Sequence, residues 1–137
     1  YREDTGEAGA SARPGEPAPD DADWSESVSP DTTLLFRYSA LTFNGHRIHY
    51  DREYASGTEG YDGLVVHGPL LATLMCGLAG HAWTNRPVAG FEFRGMRPVL
   101  DTELFTVCGK ADGDDTINVW VANGDGYLAM KGRTRFG

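Results

Sequence analysis

One run of apolar residues constrains the fold of this chain more than any other feature. Residues 68–83 read GPLLATLMCGLAGHAW, in which Pro69 stands at a position suited to the first turn of a helix. Because Leu, Ala, Met and Cys occupy nearly every face of the predicted helix, it is buried and does not lie on a surface. The rest of the chain must therefore enclose it. Its large apolar residues recur at helical spacing: Leu70, Leu71, Leu74, Met75 and Leu78.

The stretches after this helix have the alternating pattern of β-strands. They are VAGFEFRGMRPVL, TELFTVCGKA, TINVWVA and YLAMKGRTRF, separated by the turn signals in RPVLD, DGDD and NGDG. Before the helix, DTTLLFRYSALT predicts a further strand, and LVVH predicts a short buried extended run. One buried helix with an antiparallel meander around it is an α+β architecture, and a curved sheet that wraps the helix is its most economical form.

The first residues have a different composition from the rest. Residues 1–24 are rich in Ala, Gly, Pro and acidic side chains and have no apolar periodicity. We expect them to form an acidic linker or tail without regular secondary structure and with few contacts, followed by one domain over residues 25–137. The opening Tyr1-Arg2-Glu3 resembles the end of a preceding part of a longer chain, so we expect the domain to be one half of a larger protein.

Charge and composition exclude several classes of function. The net charge of −8 is uneven, because the first 27 residues carry −6 and the remainder only −2. The domain is therefore close to neutral, which is compatible with an anionic ligand but does not favour nucleic acid. No apolar run approaches the roughly 20 residues of a membrane helix, and no signal pattern is present, which predicts a cytoplasmic protein. Cys76 and Cys108 lack disulfide or CxxC spacing, which predicts buried free thiols.

The polar stretch LTFNGHRIHYD, residues 41–51, has too little apolar surface to be core. A histidine is a natural general acid or base at neutral pH, whereas an asparagine can orient a water or a carbonyl but cannot take a proton. At the start of the predicted helix, the amides of Gly68 and its neighbours favour negative charge. Asn44, His49 and Gly68 together suit the addition of water to a double bond conjugated to a thioester carbonyl, its removal, or other acyl chemistry.

Other interpretations of the same residues stay open. His46, His49 and His67 could ligate a metal, although no motif has the helical spacing of a hydrolytic zinc site. A serine nucleophile is disfavoured, because Ser39 lies in no GxSxG elbow. Gly68 could merely permit a tight turn, His67 could be a hydrogen-bonded core histidine, and the polar stretch could be a solvated loop.

Two motifs, in this order and separation, resemble one family. FRYSALTFNGHRIHYD at residues 36–51 and GYDGLVVHGPLLATLM at residues 60–75 are similar to the hot-dog-fold MaoC-like dehydratases, in the branch of mesaconyl-CoA hydratase and type 2 3-hydroxyacyl-thioester dehydratases. The likeness covers residues 24–136. It implies a long central helix wrapped by a curved antiparallel sheet, and reversible hydration of an enoyl thioester without a cofactor.

The resemblance also implies roles for single residues. In the wider (R)-hydratase group the motif is Asp-x-Asn-Pro-x-His, and its Asp and His bind and activate the water. Asn44 stands in the place of that Asp, His46 in the place of the Asn, Arg47 in the place of the Pro, and His49 is the matching His. Gly68 matches the glycine whose backbone N–H holds the thioester carbonyl oxygen. Because Asn44 cannot take a proton, the resemblance implies that His49 alone transfers it.

For substrate binding we expect contributions from further residues near these motifs. Arginine offers a planar fork for phosphate or carboxylate, and Arg47 would also suit a dicarboxylic acyl group such as mesaconyl. The candidates are His46, Arg47, His67, Arg94 and Arg97.

The domains of this family function in pairs, so we expect a homodimer or a pairing with a second, N-terminal hot-dog domain. The expected substrate is an acyl-CoA thioester in preference to an acyl-carrier thioester, because the chain lacks a basic cluster for an acidic carrier. A 3-hydroxyacyl-carrier-protein dehydratase and a non-catalytic hot-dog subunit are the alternatives. A thioesterase of the same fold is disfavoured, because the helix carries no carboxylate.

Overall fold

A sheet of five antiparallel strands surrounds one long helix in the computed structural model, which describes residues 15–137. The strands are β1 (Trp24–Val28), β2 (Val88–Gly95), β3 (Phe105–Asp112), β4 (Thr116–Ala122) and β5 (Leu128–Phe136), in the sheet order β1-β3-β4-β5-β2. The helices are α1 (Thr32–Thr42), α2 (Arg52–Gly57) and α3 (Gly68–Ala82), with a 3-10 turn at Arg47–His49. The predicted α+β hot-dog architecture is confirmed.

The predicted buried helix is α3, and it packs against all five strands. Met75 and Ala79 of α3 are fully buried in the main core. On β4, Ile117 and Val119 face this core, whereas Trp120 belongs to a separate cluster on the outer face of the sheet. Because burying one large apolar side chain contributes about 1.5–3 kcal/mol, enclosing the apolar side chains of α3 stabilises this fold.

The stretch DTTLLFRYSALT forms α1, so the prediction of a strand there is wrong. Asp31 caps the helix, since its side chain accepts a hydrogen bond of 2.7 Å from the N–H of Leu34. Leu35 and Ser39, four residues apart, are buried, and Tyr38 packs against the core. The inward-facing residues therefore follow the helical period, which prevails over the β-propensity of Thr, Phe and Tyr.

Residues 15–23 are attached to the outer face of the sheet, so the expectation of few contacts is wrong for them. The N–H of Ala18 donates to the carbonyl of Gly126 at 2.9 Å, and Asp21 pairs with Lys110. Ala18 also packs against the cluster that contains Trp120. The small side chains of this segment cover an apolar patch of the sheet, a contact that composition alone does not reveal. The rest of the predicted tail, residues 1–14, lies outside the described residues.

Two further sequence expectations concern membrane helices and cysteines. None of the helices within residues 15–137 is long and apolar enough to cross a membrane. Cys76 and Cys108 are both free thiols, as predicted; Cys108 is buried and Cys76 is half-buried. Burial raises the pKa of the Cys108 thiol, which keeps it protonated.

Replacing Asp31 with Ala should lower the free energy of unfolding by about 0.5–2 kcal/mol, because the N–H of Leu34 loses its acceptor at the start of α1. Urea unfolding followed by circular dichroism measures the change. Asp31→Asn is the matched control, since its amide oxygen can still cap the helix. Equal stabilities of Asp31→Ala and Asp31→Asn would contradict this start of α1.

Candidate active site

A left-handed turn at the end of α1 places Asn44 against that helix. Phe43 has a φ of 52°, which non-glycine residues seldom adopt, and the turn lets the N–H of Asn44 donate to the carbonyl of Ser39 at 2.9 Å. The Oδ1 atom of Asn44 accepts the N–H of His46 at 3.1 Å. The amide orientation is thereby set, and the Nδ2 hydrogens of Asn44 remain available as donors.

His49 is held by the backbone of the segment that leads into α3. Its Nδ1 atom lies 2.7 Å from the carbonyl oxygen of Val65. Because a carbonyl only accepts, Nδ1 carries the proton and the neutral ring keeps its lone pair on Nε2. Burial lowers the pKa of His49, the bond to Val65 opposes this, and His46 lowers the pKa further. At neutral pH the ring is therefore uncharged and presents an unprotonated Nε2.

The ring of His67 packs against the ring of His49. The two rings stack with centroids 3.8 Å apart and an interplanar angle of 18°. Nε2 of His67 lies 2.7 Å from the Oγ atom of Ser39, and the ring of Tyr38 meets it edge-on at 4.7 Å. Burial, with a smaller contribution from His49, lowers the pKa of His67 to about 4. His67 is therefore neutral throughout the physiological range.

The structure changes the role expected of His67. Its side chain is 0% exposed, so in this structure it lies behind His49 and does not line the surface that a substrate would reach. It is not a fully satisfied core histidine either, because its Nδ1 has no hydrogen-bond partner. His46, in contrast, is exposed and presents the edge of its ring to His49, with centroids 5.7 Å apart.

Gly68 is the first residue of α3 and directly follows His67. Its N–H is one of the four that an α-helix leaves unpaired at its start, where the helix dipole also favours negative charge. A Cβ atom at Gly68 would lie 3.9 Å from the terminal methyl of Met130, an ordinary contact. Packing within the described residues therefore does not require a glycine here. Its absent side chain leaves the space beside the N–H open.

The three arginines predicted to bind the substrate are not gathered around the histidines. Arg47 bonds Asp51 through two nitrogens, at 2.8 and 3.1 Å, and lies over the ring of Tyr54, 4.3 Å from its centroid. Arg94 lines a groove on the outer face of the sheet, opposite α3. Arg97 lies over a tyrosine ring, 5.3 Å from its centroid. These three arginines therefore do not form one cationic site around the histidines.

An apolar pocket of about 340 Å³ adjoins Asn44. Two of its aromatic residues are largely exposed, Phe36 by 63% and Phe43 by 96%. The pocket has no charged side chain in its lining and can accept an apolar group beside the Asn44 amide. It is lined by Phe36, Ser39, Ala40, Phe43, Asn44, Gly45 and Tyr50.

Hydrogen bonds set the orientation of the two stacked histidine rings. Within residues 15–137, no three histidine, cysteine or carboxylate side chains are grouped so that they could hold a metal ion. In the stacked rings, Nδ1 of His49 is directed at Val65 and Nε2 of His67 at Ser39. The site instead combines one neutral histidine, an orienting amide and a helix N-terminus, which suits acid–base chemistry next to a carbonyl.

Sequence reasoning missed two parts of this site. Ser39 was considered only as a nucleophile, yet its helical spacing from Leu35 in residues 31–42 is the signal that turns it inward. The carbonyl of Val65 leaves no trace in the sequence, because every residue has one. Only the fold brings it to His49.

Comparison with known proteins links this chain to thioester chemistry. The family model for hydroxyacyl-thioester dehydratase type 2 matches residues 1–101. Mesaconyl-C(4)-CoA hydratase of Chloroflexus aurantiacus is 50% identical over 111 residues, which are 81% of this chain and 39% of that protein. The mitochondrial hydroxyacyl-thioester dehydratase type 2 of Schizosaccharomyces pombe is 35% identical over 95 residues, 68% of this chain and 30% of that protein. The chain thus spans well under half the length of these relatives.

A solved structure supports the same fold. The (R)-hydratase from A. caviae involved in PHA biosynthesis superimposes with a TM-score of 0.69 at 24% sequence identity. The match covers 92% of this chain and 96% of that one. At this identity the likeness shows the fold alone, a helix wrapped by an antiparallel sheet.

Proposed function

Since this chain belongs to the hydroxyacyl-thioester dehydratase type 2 family, we propose that it is the catalytic domain of a hydro-lyase. The enzyme reversibly adds water to the conjugated double bond of an enoyl-CoA thioester, giving a 3-hydroxyacyl-CoA. One observation carries the assignment: His49 has its Nδ1 proton engaged by the carbonyl of Val65, so Nε2 is the free base. The similarity to hydratases and dehydratases supports the reaction type.

In the hydration direction, Nε2 of His49 takes a proton from water while the water oxygen forms a bond to C3 of the substrate. The amide N–H groups of Asn44 orient that oxygen but take no proton. The electron pair of the C2–C3 double bond moves toward the thioester carbonyl oxygen, whose developing charge faces the N–H of Gly68. The His49 imidazolium then returns the proton to C2, which restores the thioester carbonyl and the neutral base. Dehydration is the reverse sequence.

These steps need no cofactor. His49 supplies both proton transfers, and the start of α3 supplies the positive end of a dipole for the oxyanion. The reacting partner is the CoA thioester itself. This proposal gives Asn44, His49 and Gly68 the three roles in the reaction.

Three observations bear on the identity of the acyl group. The apolar pocket beside Asn44 has no charged lining and suits an unsubstituted enoyl chain. A mesaconyl group carries a second carboxylate that needs a cation, and Arg47 is already bound to Asp51. The 50% identical mesaconyl-C(4)-CoA hydratase supports the second substrate. Rates of loss of enoyl absorbance with crotonyl-CoA and mesaconyl-C(4)-CoA decide between them.

Replacing His49 with Ala should lower kcat by about 10²–10⁴-fold, because it removes the only proton-transfer group of the proposed site. Asn44→Ala should lower kcat less, since the water loses a donor but the base remains.

Because burial lowers the pKa of His49, the acid limb of kcat/KM for hydration should lie below the ordinary histidine value of about 6.5, and activity should fall as the pH drops through it. Asn44→Asp should keep activity and move this limb upward, because a carboxylate favours the imidazolium.

His81→Ala is the matched control, because His81 is exposed at the far end of α3 and should leave kcat unchanged. Near-full turnover by His49→Ala would show that this site is wrong. Absence of turnover with crotonyl-, mesaconyl- and longer enoyl-CoA, even with a partner domain present, would instead favour a non-catalytic hot-dog subunit.

The edge of the sheet formed by β2 is open to pairing with a second domain. Strand β2 pairs with β5 on one side and has no strand on the other within the described residues. Phe93 on β2 is 52% exposed. An apolar groove of about 580 Å³ lies between β2 and α3, and it extends to Pro69 at the helix start. We propose that a second hot-dog domain pairs along β2, which would cover the groove and close the site at the N-terminus of α3.

In the absence of another partner, this chain should sediment as a dimer at micromolar concentration, with more than about 1,000 Å² buried. Phe93→Asp should convert it to a monomer, because the substitution puts a charge into the covered groove. Leu104→Asp is the matched control, since Leu104 is 59% exposed but lies outside this groove. A monomeric wild-type chain, or equal effects of the two substitutions, would contradict pairing through β2.

A further inference from the structure

Ser39 contacts two other residues of the proposed site, Asn44 and His67. Its carbonyl accepts the N–H of Asn44 at 2.9 Å, and its Oγ atom lies 2.7 Å from Nε2 of His67. The serine is only 6% exposed. One residue of α1 thereby holds both the amide that orients the water and the ring behind the base.

The ring of His67 determines the surroundings of His49. It stacks on His49 at 3.8 Å and is fully buried. Its only hydrogen-bonded nitrogen faces Ser39, and Nδ1 has no partner. A proton on both nitrogens would therefore put a charge in the core with an unsatisfied N–H, at a high desolvation cost. The ring stays neutral and so does not repel the positive charge that His49 acquires during the reaction.

From these contacts we propose that Ser39 and His67 are positioning residues for His49. The Ser39 hydroxyl anchors the His67 ring, and the face of that ring fixes the plane in which His49 takes and returns its proton. This inference rests on the proposed function, because positioning matters only if His49 is the base. Both residues act through His49: His67 is fully buried, and Ser39 borders the apolar pocket beside Asn44 but is only 6% exposed.

Few groups face the stacked pair, which makes its titration interpretable. His46 meets His49 from the same loop, Tyr38 and Ser39 approach His67 from α1, and the carbonyl of Val65 faces His49 from the segment before α3. In the described part of the chain, no carboxylate, lysine or arginine forms a hydrogen bond or ion pair with either ring. A change in the behaviour of His49 after substitution of Ser39 is therefore attributable to the movement of His67.

The test compares Ser39→Ala with Ser56→Ala. Each substitution removes one helical hydroxyl, but Ser56 is exposed on α2 and bonds only the carbonyl of Arg52, at 2.8 Å. Ser39→Ala should lower kcat by about 10- to 100-fold with little change in KM, because a misplaced base costs rate and not binding. The acid limb of kcat/KM should move up toward about 6.5, since a loosened ring admits water to His49. Ser56→Ala should change neither quantity.

A second pair of variants separates the anchor from the ring face. His67→Gln keeps a polar group near Ser39 but offers no ring to His49, so it should show the same shift of the limb and a larger loss of kcat. His67→Phe restores a ring face and should recover part of that loss. Circular dichroism measures the folded fraction of each variant. If Ser39→Ala and His67→Gln matched the wild type in kcat per folded molecule and in pH limb, the inference would be overturned.

A measurement without substrate distinguishes this inference from the proposed function. In an NMR titration of the free protein, the imidazole of His49 should titrate at higher pH in Ser39→Ala than in the wild type. An unchanged titration overturns the positioning role, whether or not the enzyme is active. A wild-type chain that, with its pairing domain, hydrates no enoyl thioester would overturn the proposed function, and the titration would still report on Ser39.

Discussion

The hydrogen bond from Nδ1 of His49 to the carbonyl of Val65 is the interaction on which the site depends. It selects the tautomer, because a carbonyl can only accept, and it leaves the lone pair on Nε2. The carbonyl of Val65 is itself fixed by backbone hydrogen bonds on both sides. The N–H of Val65 donates to the carbonyl of Ile48 at 2.9 Å, and the N–H of Val66 donates to the carbonyl of Val99 at 2.8 Å. The ring that we propose as the base is thus attached to backbone that the core holds in place.

The same core determines where the proposed site lies. Helix α3 is buried because its side chains are apolar on nearly every face, yet its first residue, Gly68, is only half-buried at the rim. Its unpaired N–H and the stacked histidines therefore lie where the hydrophobic interior ends. The two rings themselves are buried, with His49 7% and His67 0% exposed. The low pKa of His67, about 4, is a direct consequence of that placement.

Periodicity explains which parts of the fold were predictable from the sequence. The helix α3 and the strands β2 to β5 have clear periods of 3.6 and 2, and all were located correctly. Helix α1 was predicted as a strand because its Thr, Phe and Tyr favour β-structure, although Leu35 and Ser39 already had helical spacing. Residues 15–23 were predicted as a loose tail because composition does not show which patch an alanine covers.

The site was predictable only where a motif carried it. Asn44, His49 and Gly68 were identified from residue types and from the family pattern, and the structure gives each a geometry compatible with the proposed role. The contact of Ser39 with His67 spans 28 positions of the chain, and the partner of His49 is a backbone atom. Neither contact leaves a local signal in the sequence. The positions of the arginines were not predictable either, because a cationic side chain in the sequence does not say which face of the sheet it occupies.

The central claim is that His49 is a neutral base with its proton on Nδ1. Long-range ¹H–¹⁵N NMR spectra of the imidazole groups in the free protein at pH 7, assigned with His49→Ala, report this state directly. The account predicts a protonated Nδ1 and an unprotonated Nε2 for His49. A proton on Nε2, or an imidazolium at that pH, would contradict it, because the ring could then not accept a proton from water.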